Sequence, residues 1–172
     1  MSEKGLDKKL LERIKSLKME KNGEIMLQGF AGTFGVKDTN SIRDLLLYVA
    51  DNFGFKGAGP ILSRAGYMFA RELLNEFKEK GADLIRKFLE FLTLNGFGIF
   101  EENVDETGGE IVLKNSIFTE NFQNIDECID HFVVGMLTAL LERAFNRRYI
   151  VLETECSAKG DPYCKFSVKL AQ

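Results

Sequence analysis

Residues 148–170 read RYIVLETECSAKGDPYCKFSVKL, and this C-terminal stretch decides how the chain is interpreted. Apolar and polar residues alternate in RYIVLETEC and again in YCKFSVKL, which is typical of half-buried β-strands. Between them, AKGDP combines Gly, Asp and Pro, the residues that form tight turns. The sequence therefore predicts a C-terminal β-hairpin.

The elements before this hairpin are helices first and then two more strands. FGIFEENV and EIVLKNSI have strand-like composition and are joined by a Gly-containing turn. Helices are expected at about 6–17, 41–52, 60–80, 83–94 and 125–145, and a hairpin or irregular loop at 24–36. This order predicts one α+β domain over 1–172, in which an antiparallel sheet of about four strands packs against several helices.

Composition and charge narrow the class of protein. The chain has 172 residues, 45% hydrophobic and 28% charged, as in soluble globular domains. The net charge of -3 gives no basic surplus for nucleic-acid binding. No apolar run is long enough to span a membrane. The charged start MSEKGLDKKL does not resemble a signal peptide, so we expect a cytoplasmic protein.

Three cysteines are the main chemical signal in the chain. An odd number in a reducing compartment argues against a disulfide framework. A tight hairpin would bring Cys156 and Cys164 together, and Cys128 lies at the start of the helix expected at 125–145, where the helix dipole favours a thiolate. Three thiolates and one carboxylate would form a tetrahedral, structural zinc site. The alternative is that the cysteines are small buried apolar residues.

The carboxylate of such a site is not decided by spacing. Strand alternation places Glu153 and Cys156 on opposite faces, so both reach one metal only if the strand bulges or ends near Cys156. Glu155 has the same parity as Glu153, so both acids stay open on geometry.

Candidate residues for an apolar ligand pocket come from the helices and the first two strands. The chain has 15 Phe residues, which can fill a core or line a pocket. Gly66 either admits a ligand close to the backbone or allows close packing of two helices. His131 is expected on the same helical face as Cys128, as a ligand in place of Glu153, a polar anchor in the pocket, or a solvated helix residue. The candidate pocket residues are Gly66, Tyr67, Phe69, Phe97, Ile99, Ile111, Leu113 and His131.

The motif Glu-Thr-x-Cys followed by Ala-Lys-Gly-Asp-Pro-x-Cys-x-Phe resembles the signature of the 4-vinyl-reductase domain family. SRAGYMFAR, NGFGIF, LKNSIF and CIDHFVVGML agree with the same family. The resemblance covers roughly residues 60–170, which would be the ligand-binding core. It implies a fold similar to the nitric-oxide-signalling and Golgi-transport ligand-binding domains.

The same resemblance has implications for the site. Family sensors of aromatic compounds bind zinc with a Cys, a Glu-x-x-Cys and a later Cys, which correspond here to Cys128, Glu153, Cys156 and Cys164. It therefore favours Glu153 over Glu155. These sensors form homodimers and hold the phenol hydroxyl with a Trp and a His. This chain has no Trp, so the resemblance does not extend to that pair.

Three functions remain as hypotheses. The favoured one is a regulatory or sensory binding domain, with structural Zn²⁺ and a small apolar or aromatic ligand. The second is a reductase or accessory subunit that acts on a tetrapyrrole vinyl group. No nicotinamide or flavin fingerprint is present, which argues against catalysis. The third is a scaffold protein, like the trafficking-complex subunits of the same fold.

Overall fold

The structure is a computed structural model that describes residues 18–19, 25–26, 36–120 and 122–171. The helix expected at 6–17 lies outside these residues. The described helices are α1 (Val36–Leu73), α2 (Gly81–Leu94) and α3 (His131–Phe145). The strands are β1 (Lys18–Met19), β2 (Ile25–Met26), β3 (Ile99–Asp105), β4 (Gly108–Lys114), β5 (Tyr149–Glu155) and β6 (Cys164–Leu170).

The sheet confirms the predicted architecture. Strands β3 to β6 form one antiparallel sheet in the order β3-β4-β6-β5. The hairpin of β5 and β6 is the one predicted from residues 148–170, and β5 is an edge strand. The short strands β1 and β2 form a separate antiparallel pair, and β2 lies within the part of the chain where a hairpin or loop was expected.

Helix α1 contains a sharp break that the sequence anticipated only in part. Gly54 has φ 69° and ψ 155°, a conformation accessible to glycine, so the helix is divided there. The break was expected over residues 52–59, with Pro60 in the first helical turn. Helix instead resumes directly after Gly54, and Pro60 lies inside it. The helix ends at Leu73, followed by a 3-10 turn, so the expected end at Gly81 was wrong.

Helices α1 and α3 cross at two glycines, which fix their close approach. A Cβ atom on Gly66 would lie 2.0 Å from the carbonyl oxygen of Phe132, and one on Gly135 would lie 1.9 Å from that of Ser63. No side chain fits between these backbones. Gly66 therefore has the packing role that was one of its two expected roles.

Helix α3 begins six residues later than the 125–145 range predicted. The segment before it directs its backbone N–H groups to the C-terminal hairpin: Ile125 donates to Ala158 O at 3.0 Å and Asp130 to a carboxylate oxygen of Glu153 at 2.9 Å. Because these donors are used across the chain, residues 125–130 do not form a helical turn. Cys128 is thus not at a helix start, and His131 does not share a helical face with it.

The strand pattern after α2 also differs from the prediction at one position. Phe97 is buried, and Gly98 follows with φ 132°. This positive φ breaks the alternation of side chains, so Phe100 faces the core together with Leu113, its partner on β4. Ile99 is 43% exposed on the outer face of the sheet. Its expected place in the core or the pocket wall was therefore wrong.

No helix in the described part of the chain is long and apolar enough to cross a membrane.

Candidate metal centre

Two separate segments of the chain bring Cys128, Glu153 and Cys156 together. Their ligand atoms all lie within 4.8 Å of one another. Cys128 comes from the segment before α3, whereas Glu153 and Cys156 come from the end of β5. Cys156 is fully buried, while Cys128 and Glu153 are half-buried.

A second group shares Glu153 with the first. The ligand atoms of Asp130, Glu153 and Cys164 also lie within 4.8 Å of one another. Asp130 and Cys164 are fully buried. The four residues expected from the sequence therefore all lie in one cluster, and Asp130 joins them. The sequence did not indicate Asp130, because in the helix expected at 125–145 a residue two positions after Cys128 would face away from it.

A bulge in β5 allows Glu153 and Cys156 to reach the same cluster. The pairing between β5 and β6 shifts register between Glu153 and Glu155, and the strand ends at Glu155. Strand alternation required either a bulge or a strand end near Cys156, and the structure contains both. Glu155 forms an ion pair with Lys165 at 2.8 Å and is in neither group, so Glu153 is the acid of the cluster.

Hydrogen bonds hold the two carboxylates by one oxygen each. Ser116 Oγ donates to Asp130 Oδ1 at 3.0 Å, and the backbone N–H of Asp130 donates to Glu153 Oε2 at 2.9 Å. The other oxygens, Asp130 Oδ2 and Glu153 Oε1, are buried and have no hydrogen-bond partner among the described residues. Buried carboxylate oxygens are normally hydrogen-bonded, ion-paired or bound to a metal.

The pKa values of the cluster reflect the absence of a cationic side chain paired with its carboxylates among the described residues. Burial, together with the charge of Asp130, raises the pKa of Glu153 to about 10. Burial also raises the pKa of Asp130 to about 7. Burial and the charge of Glu153 raise the pKa of Cys128 to about 12, so the expected activation of this thiol by a helix N-terminus is absent. A cation among these groups would reverse these shifts.

The two hairpin thiols are held by the turn between β5 and β6. A hydrogen bond with Cys164 lowers the pKa of Cys156 to about 5, and the same bond raises the pKa of Cys164. The backbone N–H of Ser157 donates to Cys164 Sγ at 3.4 Å. Asp161 Oδ2 accepts the N–H of Cys156 at 2.8 Å and closes the turn. All three cysteines are free, and the turn fixes the positions of two of them.

The expected pocket residues do not lie around one site. Phe69 and Phe97 pack with Phe118 and Phe132 in one aromatic cluster, with ring centroids 5.6–6.1 Å apart. Ile111 and Leu113 are fully buried on the inner face of β4. These residues line the interior between α1, α3 and the sheet.

Tyr67 lies outside that cluster. Its hydroxyl donates to Glu142 Oε2 at 2.8 Å, and it lines an open cleft of about 530 Å³ between the ends of α1 and α3. Arg71, Lys80 and Arg143 line the same cleft together with apolar residues such as Leu74 and Phe145, so its wall is mixed and carries three basic side chains. Tyr67 therefore does not line the same site as Phe69 and Phe97.

His131 is the first residue of α3 and packs against α1. A Cβ atom on Gly59 would lie 3.1 Å from the imidazole Nε2. This nitrogen is buried and has no hydrogen-bond partner among the described residues. Burial lowers the pKa of His131, so the ring is neutral at pH 7. His131 is in neither group of metal-ligand atoms, and its half-buried ring has Nε2 against α1.

The fold defines the chain as an α+β domain in which helices cover one face of a four-stranded antiparallel sheet. Residues 110–170 match the model of the 4-vinyl-reductase domain family. This match includes nearly all of β4, α3 and the complete hairpin of β5 and β6. Over these residues the chain is therefore similar to the 4-vinyl-reductase domain family.

Two relatives by sequence come from Methanocaldococcus jannaschii. Uncharacterized protein MJ0150 is 27% identical over 175 residues, which covers 99% of this chain and 96% of the relative. Uncharacterized protein MJ1460 is 25% identical over 167 residues, covering 93% and 90%. The similarity thus extends well beyond residues 110–170.

Solved structures show the same fold. A vinyl-4-reductase family protein from Methanocaldococcus jannaschii is similar with a TM-score of 0.54 and 25% identity, covering 64% of this chain and 68% of the other. The phenol-responsive sensory domain of the transcription activator PoxR, with phenol, gives 0.67 and 18%, covering 94% and 88%. A trafficking protein particle complex subunit 3 from Naegleria fowleri, covalently bound to palmitic acid, gives 0.52 and 14%, covering 78% and 97%.

Proposed function

We propose that this chain is a cytoplasmic regulatory domain that binds a small apolar or aromatic molecule and holds one structural Zn²⁺ ion. Cys128, Glu153, Cys156 and Cys164 bind the ion, and the domain acts as a homodimer. Zn²⁺ supplies a cross-link between the hairpin and the segment before α3. Catalysis is not part of this proposal, because four protein ligands leave no open position on the ion.

The observation that carries the zinc proposal is the pair of buried, unpartnered carboxylate oxygens beside three cysteines. Within the described residues, Asp130 Oδ2 and Glu153 Oε1 lie in a cluster whose other ligand atoms are sulfur. Sulfur and oxygen donors together suit zinc, which is borderline soft and accepts both. An apolar role for the cysteines would leave these oxygens without compensation.

Support for a small-molecule ligand comes from the interior and from the fold. The aromatic cluster of Phe69, Phe97, Phe118 and Phe132 includes the residue that follows His131 on α3, and His131 Nε2, which lies against α1, lacks a partner among the described residues. An apolar interior with an unsatisfied polar atom suits a mostly apolar ligand with a hydroxyl or carbonyl group. Two proteins of this fold hold phenol and palmitic acid.

Metal analysis tests the zinc proposal directly. Protein purified under reducing conditions is expected to contain one zinc per chain, and replacement of all three cysteines by serine is expected to remove it. A strong chelator should lower the Tm of the wild type by more than about 4 °C, which corresponds to more than about 1 kcal/mol for a chain of this size. Added Zn²⁺ should restore the Tm.

The triple serine variant is also the control for the chelator. Its Tm should be lower than that of the wild type and should not respond to chelator or to Zn²⁺. A wild type that contains no metal and melts at the temperature of the serine variant would contradict the proposal.

A further inference from the structure

Asp130 has no role in the four-residue zinc centre, yet it lies inside the cluster. Its side chain is fully buried, and its Oδ2 atom is unpartnered within the described region. The ion pairs of the described residues include neither Asp130 nor Glu153. No cationic side chain among the described residues therefore offsets a charge on these carboxylates.

We propose that Asp130 is a fifth metal-binding residue, whose Oδ2 binds the same ion as Glu153 and Cys164. This inference rests on the proposed zinc centre and extends it. The ligand atoms of these three residues lie within 4.8 Å of one another, as closely grouped as those of Cys128, Glu153 and Cys156. Glu153 belongs to both groups, so the two groups adjoin at its carboxylate.

The hydrogen bonds around Asp130 orient it for this role. Ser116, which is 1% exposed, fixes Oδ1 by a hydrogen bond of 3.0 Å. The backbone N–H of Asp130 in turn fixes Glu153 Oε2. Each carboxylate is thus anchored by one oxygen and offers the other to the centre, which is the arrangement by which outer hydrogen bonds orient metal ligands.

Five donor groups exceed the four ligands of a usual structural zinc site. Asp130 and Glu153 therefore either share one oxygen position or raise the coordination number to five. In both cases, loss of one carboxylate leaves the other as an oxygen ligand. The centre is expected to tolerate either single neutralisation with weaker affinity and to lose much more affinity when both are neutralised.

Substitution of each carboxylate by its amide tests this expectation. Asp130→Asn keeps the oxygen that accepts from Ser116, and the backbone N–H that holds Glu153 is unchanged. We expect Asp130→Asn and Glu153→Gln each to weaken Zn²⁺ binding by at least about 10-fold in competition titrations with a chromophoric chelator, since loss of a ligand costs no less than loss of an outer partner. The double variant should bind more weakly than either single variant.

Cobalt spectra separate ligation from a general effect on the fold. With Co²⁺, Asp130→Asn should change the ligand-field bands in the visible region, because these report coordination number and geometry. The thiolate-to-cobalt charge-transfer bands should keep their intensity, because the three cysteines remain. Ser116→Ala leaves the carboxylate in place and frees Oδ1. It should also change the ligand-field bands, and it provides a second test if Asp130→Asn does not fold.

Glu155→Gln is the matched control. Glu155 is another carboxylate of the hairpin, next to Cys156 in sequence, but it forms an ion pair with Lys165 and is in neither ligand group. Its neutralisation should leave Zn²⁺ affinity and the cobalt spectrum close to those of the wild type.

The outcomes distinguish this inference from the proposed function. Wild-type affinity and spectrum in Asp130→Asn would overturn the role of Asp130 and leave the four-residue centre intact. An equal loss in Glu155→Gln and Asp130→Asn would also overturn it, since loss of one negative charge would then explain both. A wild-type chain that binds neither Zn²⁺ nor Co²⁺ would instead overturn the zinc proposal itself.

Discussion

At the scale of single residues, the hydrogen bond from Tyr67 to Glu142 joins the C-terminal part of α1 to the end of α3. Its length is 2.8 Å, and it is half-buried at the wall of the open cleft. This bond, followed by burial, raises the pKa of Tyr67 above its usual value of 10. The phenol is therefore a protonated donor throughout the neutral range.

We predict that Tyr67→Phe lowers the free energy of unfolding by about 1 kcal/mol at pH 8. The folded-state pKa of Tyr67 is raised, so its contribution is fully present below pH 10 and is lost as the pH rises through the raised value. The difference between wild type and variant in urea unfolding should accordingly shrink above pH 10. Tyr48→Phe, at a position that is 67% exposed on α1, is the control and should change stability by no more than about 0.5 kcal/mol. A difference that grows with pH would contradict this explanation.

At the scale of elements, the crossing of α1 and α3 depends on Gly66 and Gly135. An added Cβ at either position would overlap a backbone carbonyl of the other helix. The two helices would have to separate and disturb the aromatic cluster beneath them.

We predict that Gly66→Ala and Gly135→Ala each destabilise the chain by about 1–3 kcal/mol in urea unfolding, the usual cost of overpacking. Gly57→Ala is the matched control on α1, because its nearest contact would be an ordinary 3.7 Å from Phe53 Cβ. There the higher helix propensity of Ala should leave stability unchanged or raise it by up to about 1 kcal/mol. Equal destabilisation at all three positions would show that helix contact is not the cause.

The elements that could be predicted from the sequence are those whose patterns depend on residues close together in the chain. The hairpin of β5 and β6, strands β3 and β4, and helix α2 follow from alternation, turn residues and helical spacing, and the structure confirms them. The prediction of helix at the start of the 125–145 range was wrong, because backbone N–H groups there bond to residues of the hairpin. Such a contact joins segments that are distant in the sequence. The predicted position of Ile99 in the interior was wrong, because the positive φ of Gly98 changes which face of the sheet the following side chains occupy.

The candidate metal centre shows the same division. Spacing indicated the cysteines, but it left Glu153 and Glu155 equivalent, because a bulge is a property of the pairing with β6. Asp130 could not be identified from a helical reading of its segment. Its role in metal binding is inferred from the three-dimensional structure, in which its buried, unpartnered oxygen lies close to Glu153 and Cys164 within the described part of the chain.

At the scale of the whole molecule, the contact between α1 and α3 contains a buried polar atom, His131 Nε2, that no described residue satisfies. The ring is next to Phe132 and contacts α1 at Gly59. A ligand bound here would contact both crossing helices, so binding would stabilise the chain as a unit.

Phenol and palmitic acid are suitable probes for this site. We predict that at least one of them raises the Tm and is seen bound in native mass spectra. At a concentration about 100 times Kd, the gain in unfolding free energy would be about 2.7 kcal/mol. His131→Ala should weaken binding by about 3- to 10-fold, the effect of one neutral hydrogen bond. Tyr67→Phe should not, since Tyr67 faces the other cleft. Equal weakening in both variants would contradict an anchoring role for His131.

The proximity of Cys128 to the turn between β5 and β6 has a consequence for the connectivity of the chain. The chain leaves this point as α3, turns at Asn146, returns along β5 and arrives back within 4.8 Å of where it began. A metal cross-link there would close a ring around the helix and the strand, while the reversal at Asn146 remains the far end of that ring. New chain ends could then be opened at residues 146–148, since the ring would keep α3 and β5 side by side. A circular permutant cut at that reversal should therefore fold in the presence of Zn²⁺ and depend on it more strongly than the native connectivity does.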